Sequence, residues 1–248
     1  MTSSVIVIAE AALPADGSLD TALGFIRAAE HAGADVLRFA PPHALGQPSG
    51  TSAEDPVFAD EAWWVEVSRS TLRSGLDFMA TVSTEPEVSL LRSVGIMGWS
   101  VSATAGCDVV EAAARTHLPI FLRADWTVGE DGPEAASLAG RYDLELTVLH
   151  EPARSPTPAE ELGLALMAEL GAQGFERVGF CDRSGSGWAS LAAVALGADV
   201  VEIPLALSPY LSSLQQPGAL GAEALKSMVT GVRYLAWARA HPAHHGNI

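Results

Sequence analysis

Four carboxylates, Glu10, Asp125, Asp182 and Glu202, and four arginines, Arg38, Arg123, Arg154 and Arg183, stand at or just beyond the ends of short apolar runs. Carboxylates so placed act as general acids and bases when burial and neighbouring cations tune them. A guanidinium offers a fixed fork of donors suited to carboxylate or phosphate, so this clustering points to a pocket for a small anionic metabolite. Pairing of the arginines with the barrel acids, which would only shape the mouth, accounts for the same pattern. His150 closes another apolar run and reads either as a proton shuttle or as a hydrogen-bonded wall residue. The loop Asp182 to Gly187, DRSGSG, offers free amides and hydroxyls, Ser184 among them, to an anion; a tight turn with a serine cap explains it as well. Trp99, Trp126 and Trp188 near these ends form either an aromatic wall or ordinary core and rim packing.

Such side chains converge only if the elements behind them run in parallel. The stretch from Val178 to Leu207 holds two apolar strand-like runs around one amphipathic helix, a βαβ unit whose runs end in Asp182 and Glu202. Periodicity gives eight such units, with strands at Val5 to Glu10, Asp35 to Ala40, Asp77 to Val82, Gly98 to Ser102, Ile120 to Arg123, Leu144 to His150, Arg177 to Asp182 and Val200 to Pro204. The first helix begins near Ser18 and the last runs from about Gly221 to Arg239. An open doubly wound sheet remains possible on periodicity alone, but its glycine-rich phosphate turn is missing after the first strand, which reads AEAALPADGS. Eight units in 248 residues predict an α/β fold, a single (β/α)8 TIM barrel over residues 1–240 with a flexible tail at 241–248. A Pro/Gly/Ser-rich loop over 41–56 is a lid or a flexible excursion.

Composition narrows the partners. With 30 acids against 14 bases the chain carries a formal charge of −16, which repels phosphate backbones and anionic lipid, so neither nucleic acid nor membrane is expected. The first residues carry no basic leader and no run is long enough to span a bilayer, which predicts a cytoplasmic protein. Cys107 and Cys181 lack metal-ligand spacing and are expected as small buried residues. Trp63-Trp64 marks either a subunit contact, as in a homodimer, or an amphipathic helix burying both rings.

In chain order, IAE (8–10), HAGADVLRF (31–39), HEPARSPTP (150–158), VGFCDRSG (178–185), SLAAVALGADVVE (190–202) and EALKSMVTGVR (223–233) resemble the N-acetylneuraminate (sialic acid) synthase family. The resemblance implies a TIM barrel descended from enzymes that condense phosphoenolpyruvate with an amino sugar using a divalent metal. Family members usually carry a C-terminal antifreeze-like domain, so these 248 residues correspond to a barrel-only member. Glu10, His150, Asp182 and Glu202 match the family pattern. The metal-binding histidines of its DH and KH pairs are replaced, Asp182-Arg183 and Ile203-Pro204 standing there, so no metal is expected at the usual site. The strand 2 lysine is Arg38, the strand 4 lysine is Ser100, a small residue after strand 5 is Arg123, and the asparagine and tyrosine of HCVSNYP are Arg154 and Ser155.

Schiff-base chemistry needs a pocket lysine, and the one lysine, Lys226, falls in the last helix. With that route excluded, the resemblance implies a divergent, lyase- or transferase-like enzyme in carbohydrate biosynthesis, without a cofactor, using acid/base, elimination or C–C bond chemistry on a small anion. Glu10, Asp182, His150 and Glu202 are its candidate catalytic residues. Arg38, Arg123, Arg154, Arg183, Ser184, Ser100 and Asp125 would bind the substrate. A non-catalytic barrel that binds a metabolite or partner enzyme is the alternative, and a phosphoenolpyruvate-dependent sugar acid synthase, its metal gathered by Asp182, Glu202 and Glu10, is a third.

Overall fold

A computed structural model describes residues 5–13, 17–41, 60–127, 131–175, 177–207 and 216–241. Eight parallel strands close into a barrel: β1 Ile6–Ala12, β2 Val36–Ala40, β3 Asp77–Val82, β4 Gly98–Ser102, β5 Ile120–Ala124, β6 Leu146–His150, β7 Arg177–Cys181 and β8 Val200–Ala206. Each pairs with the next, and β1 pairs with β8 through Ile8 opposite Glu202 and Glu10 opposite Pro204. Helices α1 Leu19–Ala32, α2 Glu61–Arg73, α3 Glu85–Leu91, α4 Cys107–Ala114, α5 Asp131–Ala139, α6 Leu166–Ala172, α7 Trp188–Ala195 and α8 Ala222–Ala240 return the chain between strands and after the last. A two-residue strand, β9 Leu220–Gly221, adds to the end of β8 and was not legible as a run.

The strand boundaries fall within about two residues of those expected, because parallel strands buried on both faces read as continuous apolar runs between turns. Local chemistry sets the helix ends. Ser18 caps α1 by accepting from the Thr21 amide at 3.3 Å, and Thr84 and Glu87 form a capping box on α3. The expected loop over 41–56 lies, after Pro41, outside the described residues, as do residues 242–248 of the expected tail. Among the described residues no helix is long and apolar enough to cross a membrane.

Two sets of buried side chains fill the molecule. One lies between sheet and helices, with Phe25, Trp64, Phe78, Trp99 and Phe180 among its largest members. The other is a plug inside the barrel: Ile8, Val36, Met79, Phe121, Leu149, Cys181 and Val200. Cys107, expected as buried, is exposed at the start of α4, while Cys181 is buried as expected. Trp64 is buried beneath α2, and Trp63 donates its indole N–H to the Gly17 carbonyl at 3.0 Å, so the helix holds both rings.

Candidate functional site

Side chains alternate along a strand, so residues two positions beyond the apolar plug point into the barrel as well. Those positions hold Glu10, Arg38, Thr81, Arg123, Glu151, Arg183 and Glu202. Glu10, Arg38 and Glu202 are at most 1% exposed, and Arg123 and Arg183 no more than 5%.

The members are tied pairwise. Arg38 places Nε and Nη2 on the two oxygens of Glu202 at 2.8 and 2.7 Å, and Nη2 also meets Glu10 Oε2 at 2.7 Å. Its Nη1 donates to the Thr81 hydroxyl. Arg183 reaches Glu10 Oε2 with Nη1 at 2.6 Å and donates from Nη2 to Glu151. Arg123 donates to Glu151 Oε2 at 2.9 Å from Nη1 and to the Ser100 hydroxyl at 2.9 Å from Nε. Three glutamates and three arginines thus form one charge-balanced layer. Gln216 donates to Glu10 Oε1 at 2.9 Å, and its own carbonyl oxygen is buried with no partner among the described residues.

Burial alone would raise the Glu10 pKa, but the guanidiniums of Arg183, Arg38 and Arg123, with the Gln216 amide, bring it down to about 2. Burial likewise acts against ionised Glu151, and Arg123 and Arg183 overcome it, leaving that carboxyl below its ordinary range. Arg38 and Arg183 are driven the other way: burial disfavours their charge, and the facing glutamates more than restore it. The Cys181 thiol, beside Glu202 at 3.5 Å, is pushed well up by burial and then by that carboxylate, so it stays protonated and inert as a nucleophile.

Several expected site residues lie elsewhere. Asp182 is one residue out of phase with Arg183, so its carboxylate turns toward the helix layer. There it accepts from the Ser184 amide at 2.9 Å and from the Ser190 amide and hydroxyl at 2.8 Å each, fixing the start of α7. Ser184 in turn accepts from the Ser186 amide at 3.3 Å, and Ser186 from the Trp188 amide at 3.3 Å, so the DRSGSG loop is a self-bonded turn. Gly218, at φ +76°, lets the chain lie against the Arg183 carbonyl, which a Cβ there would approach to 2.5 Å.

His150, also out of phase, is a wall residue whose Nδ1 accepts from the Trp126 amide at 3.3 Å. Burial lowers its pKa, which keeps the ring neutral. Asp125 binds the Thr127 amide at 3.0 Å and stands 3.9 Å from His150. Arg154 is exposed and pairs with Glu161 at 2.7 Å, outside the charged layer. No aromatic wall forms: Trp99 is buried with its indole on Thr116 at 2.7 Å, Trp126 packs on Phe175 at 5.6 Å, and Trp188 faces outward. Glu151 was missed from sequence, although it directly follows the strand-ending His150 and takes the inward phase. A groove of about 640 Å³ between α3 and α4, lined by Glu85, Arg92 and Arg115, lies on the outer wall and shares no residue with this layer.

The donor set does not fit a divalent cation. The guanidinium of Arg183 enters the space between Glu10 and Glu151, where it supplies the positive charge itself, and Asp182 is turned away. Among the described residues no three His, Cys, Asp or Glu side chains gather to hold a metal.

The sequence pattern that defines the NeuB family matches residues 52–242. The chain is 27% identical to the spore coat polysaccharide biosynthesis protein SpsE of Bacillus subtilis, over 92% of this chain and 67% of that one. It is 24% identical to the N,N'-diacetyllegionaminic acid synthase of Campylobacter jejuni, over 93% and 76%. The crystal structure of B. subtilis SpsE superposes with a TM-score of 0.82 at 25% identity, covering 98% of this chain and 72% of that one. The N-acetylneuraminic acid synthetase of Leptospira borgpetersenii, solved in complex with citrate, superposes at 0.86 with 21% identity, over 98% and 88%, a likeness of fold.

Proposed function

Because the chain belongs to the NeuB family, we propose that it is a sugar acid biosynthetic enzyme whose barrel binds a small carboxylate or phosphate substrate through arginines, by chemistry that does not run through a divalent metal. The observation that carries this reading is Arg183. At a position where the resemblance places a metal ligand, its guanidinium pairs with Glu10 and Glu151. Arg38, Arg123 and Arg183 would receive the anion, and Glu10 would exchange protons.

The electrostatics suggest how binding and chemistry are coupled. A carboxylate held at about 2 is a weak base at neutral pH. An anion that takes up Arg183 weakens the field on Glu10, whose pKa then climbs toward the range useful for acid/base work. The vacant carbonyl of Gln216, beside Glu10, is available to accept from a substrate hydroxyl. Asp182 and His150 have structural roles in this scheme, and Arg154 has none.

The test is incubation with phosphoenolpyruvate and a set of amino sugars, with EDTA or with Mn²⁺, followed by mass spectrometry for a condensed acid. Product in EDTA that disappears in Glu10→Gln is the expected result; product only with Mn²⁺ contradicts it. A second reading, a binding barrel without turnover, is favoured by the mutual ion pairing of three arginines with three glutamates. It predicts anion binding with no product under either condition.

A further inference from the structure

Independently of the barrel interior, we infer that the groove between α3 and α4 is a second small-molecule site, shaped for a mononucleotide whose base carries an amino group. Its volume of about 640 Å³ falls within the ~300–1,000 Å³ of small-ligand sites. Glu85, Ser89 and Arg92 line one wall at positions i, i+4 and i+7, so they follow one face of α3, with the acid and the guanidinium-bearing residue about 10 Å apart along its axis. None of these three side chains has a hydrogen bond or ion pair among the described residues. Across the groove α4 ends at Arg115, whose pair with Glu111 at 2.8 Å is solvent-exposed, worth little and easily exchanged for another anion. Val88, Ala112 and Leu118 supply an apolar floor.

The order of these groups selects the ligand. Both helices follow parallel strands and run the same way, so Arg92 and Arg115 stand together at one end of the groove. Two guanidiniums there offer donors for a phosphate, in a chain whose net charge of −16 elsewhere turns anions away. Glu85 marks the other end; a carboxylate only accepts, and the exocyclic amine of a base is the donor that acidic side chains read. Ser89, about one turn from each end, stands where a ribose hydroxyl would fall, and the apolar floor receives the ring. The helix macrodipole welcomes cations at a C-terminus, which accounts for Arg92 and Arg115 but not for an unpartnered acid and hydroxyl facing the same cavity. The groove is also joined to the barrel: Thr116 on its rim accepts from the Trp99 indole at 2.7 Å, and Ser100, next along β4, accepts from Arg123 of the charged layer at 2.9 Å. One strand separates the two sites.

Isothermal titration of the full chain with AMP and with IMP, which carries a carbonyl where AMP has its amine, decides it. AMP is expected to bind with a Kd of about 100 µM or tighter in about 0.05 M salt, and IMP ~10-fold more weakly. Arg92→Met, and Ala112→Trp, which fills the groove, should each weaken AMP by ~10-fold or more. Glu85→Gln, which can donate to a carbonyl as well as accept from an amine, should erase the preference for AMP over IMP. Arg73→Met, exposed on α2 outside the groove, should leave AMP binding unchanged. Hydrogen exchange should place the protection given by AMP on residues 85–93 and 112–118 rather than at the barrel mouth, and circular dichroism melts check that the variants stay folded. Absence of binding at about 1 mM AMP, equal affinity for AMP and IMP, indifference to both Arg92→Met and Ala112→Trp, or protection confined to the barrel mouth overturns the assignment.

Discussion

The two layers inside the barrel differ by one pleat along the same strands. Ile8, Val36, Met79, Phe121, Leu149, Cys181 and Val200 form the lower one, and Glu10, Arg38, Thr81, Arg123, Glu151, Arg183 and Glu202, each two residues later, form the upper. Burial is nearly complete in both, except that Glu151, at the mouth of the upper layer, keeps 21% of its side chain exposed. The lower layer holds by dispersion and exclusion of water, which depend on volume and are indifferent to order. In the upper layer every buried charge has already lost its hydration and is stable only because a partner faces it, so its members work as a set. The lower layer tolerates repair and the upper does not.

The largest effect should come from breaking that set. Arg38→Met keeps most of the volume but strips Glu202 of both its close donors and Glu10 of one of its two guanidiniums, and should lower unfolding stability in urea by about 3–5 kcal/mol. A loss under about 1 kcal/mol would erase the distinction between the layers. In the lower layer Leu149→Ala should cost about 3 kcal/mol through the cavity it leaves, whereas Met79→Leu, nearly equal in volume, should cost less than ~1.5 kcal/mol. If Met79→Leu proves as damaging as Arg38→Met, packing rather than charge governs both.

Acid sharpens the contrast because it acts on one layer alone. Glu10 moves from 4.5 to about 2 on folding, so between those values the unfolded chain binds more protons than the folded one. Its contribution is complete above about pH 4.5 and is lost as pH falls toward 2, amounting to about 3 kcal/mol at most. Glu10→Gln should flatten the stability profile in that window, while Leu149→Ala should shift the whole profile without changing its slope. The smallest effect belongs to Arg154→Ala, whose pair with Glu161 is solvent-exposed; a change within ~0.5 kcal/mol in urea is expected.

The barrel was legible because eight apolar runs alternate with helices, and a two-residue element such as β9 offers no run to see. The charged layer was half legible. Strand ends marked Glu10, Arg38, Arg123, Arg183 and Glu202 correctly as neighbours, yet gave no phase. In a parallel barrel strand both faces are buried, so hydrophobicity does not alternate and cannot say whether Asp182 or Arg183, His150 or Glu151, points inward. Register from β1, where Ile8 and Glu10 line the interior, supplies that phase only once the strands are paired. Arg154 was grouped with the other strand-end arginines, but it follows the end of β6 at His150 by enough chain to turn its side chain outward onto Glu161.

The most direct test of guanidinium charge standing in for a metal is a thermal-shift measurement with phosphoenolpyruvate, citrate and inorganic phosphate, each in EDTA and in Mn²⁺, on the wild type and Arg183→Met. The account predicts that at least one anion raises the wild-type melting temperature equally in EDTA and Mn²⁺, and that Arg183→Met abolishes the rise. Stabilisation that appears only with Mn²⁺, or that survives loss of Arg183, would contradict it.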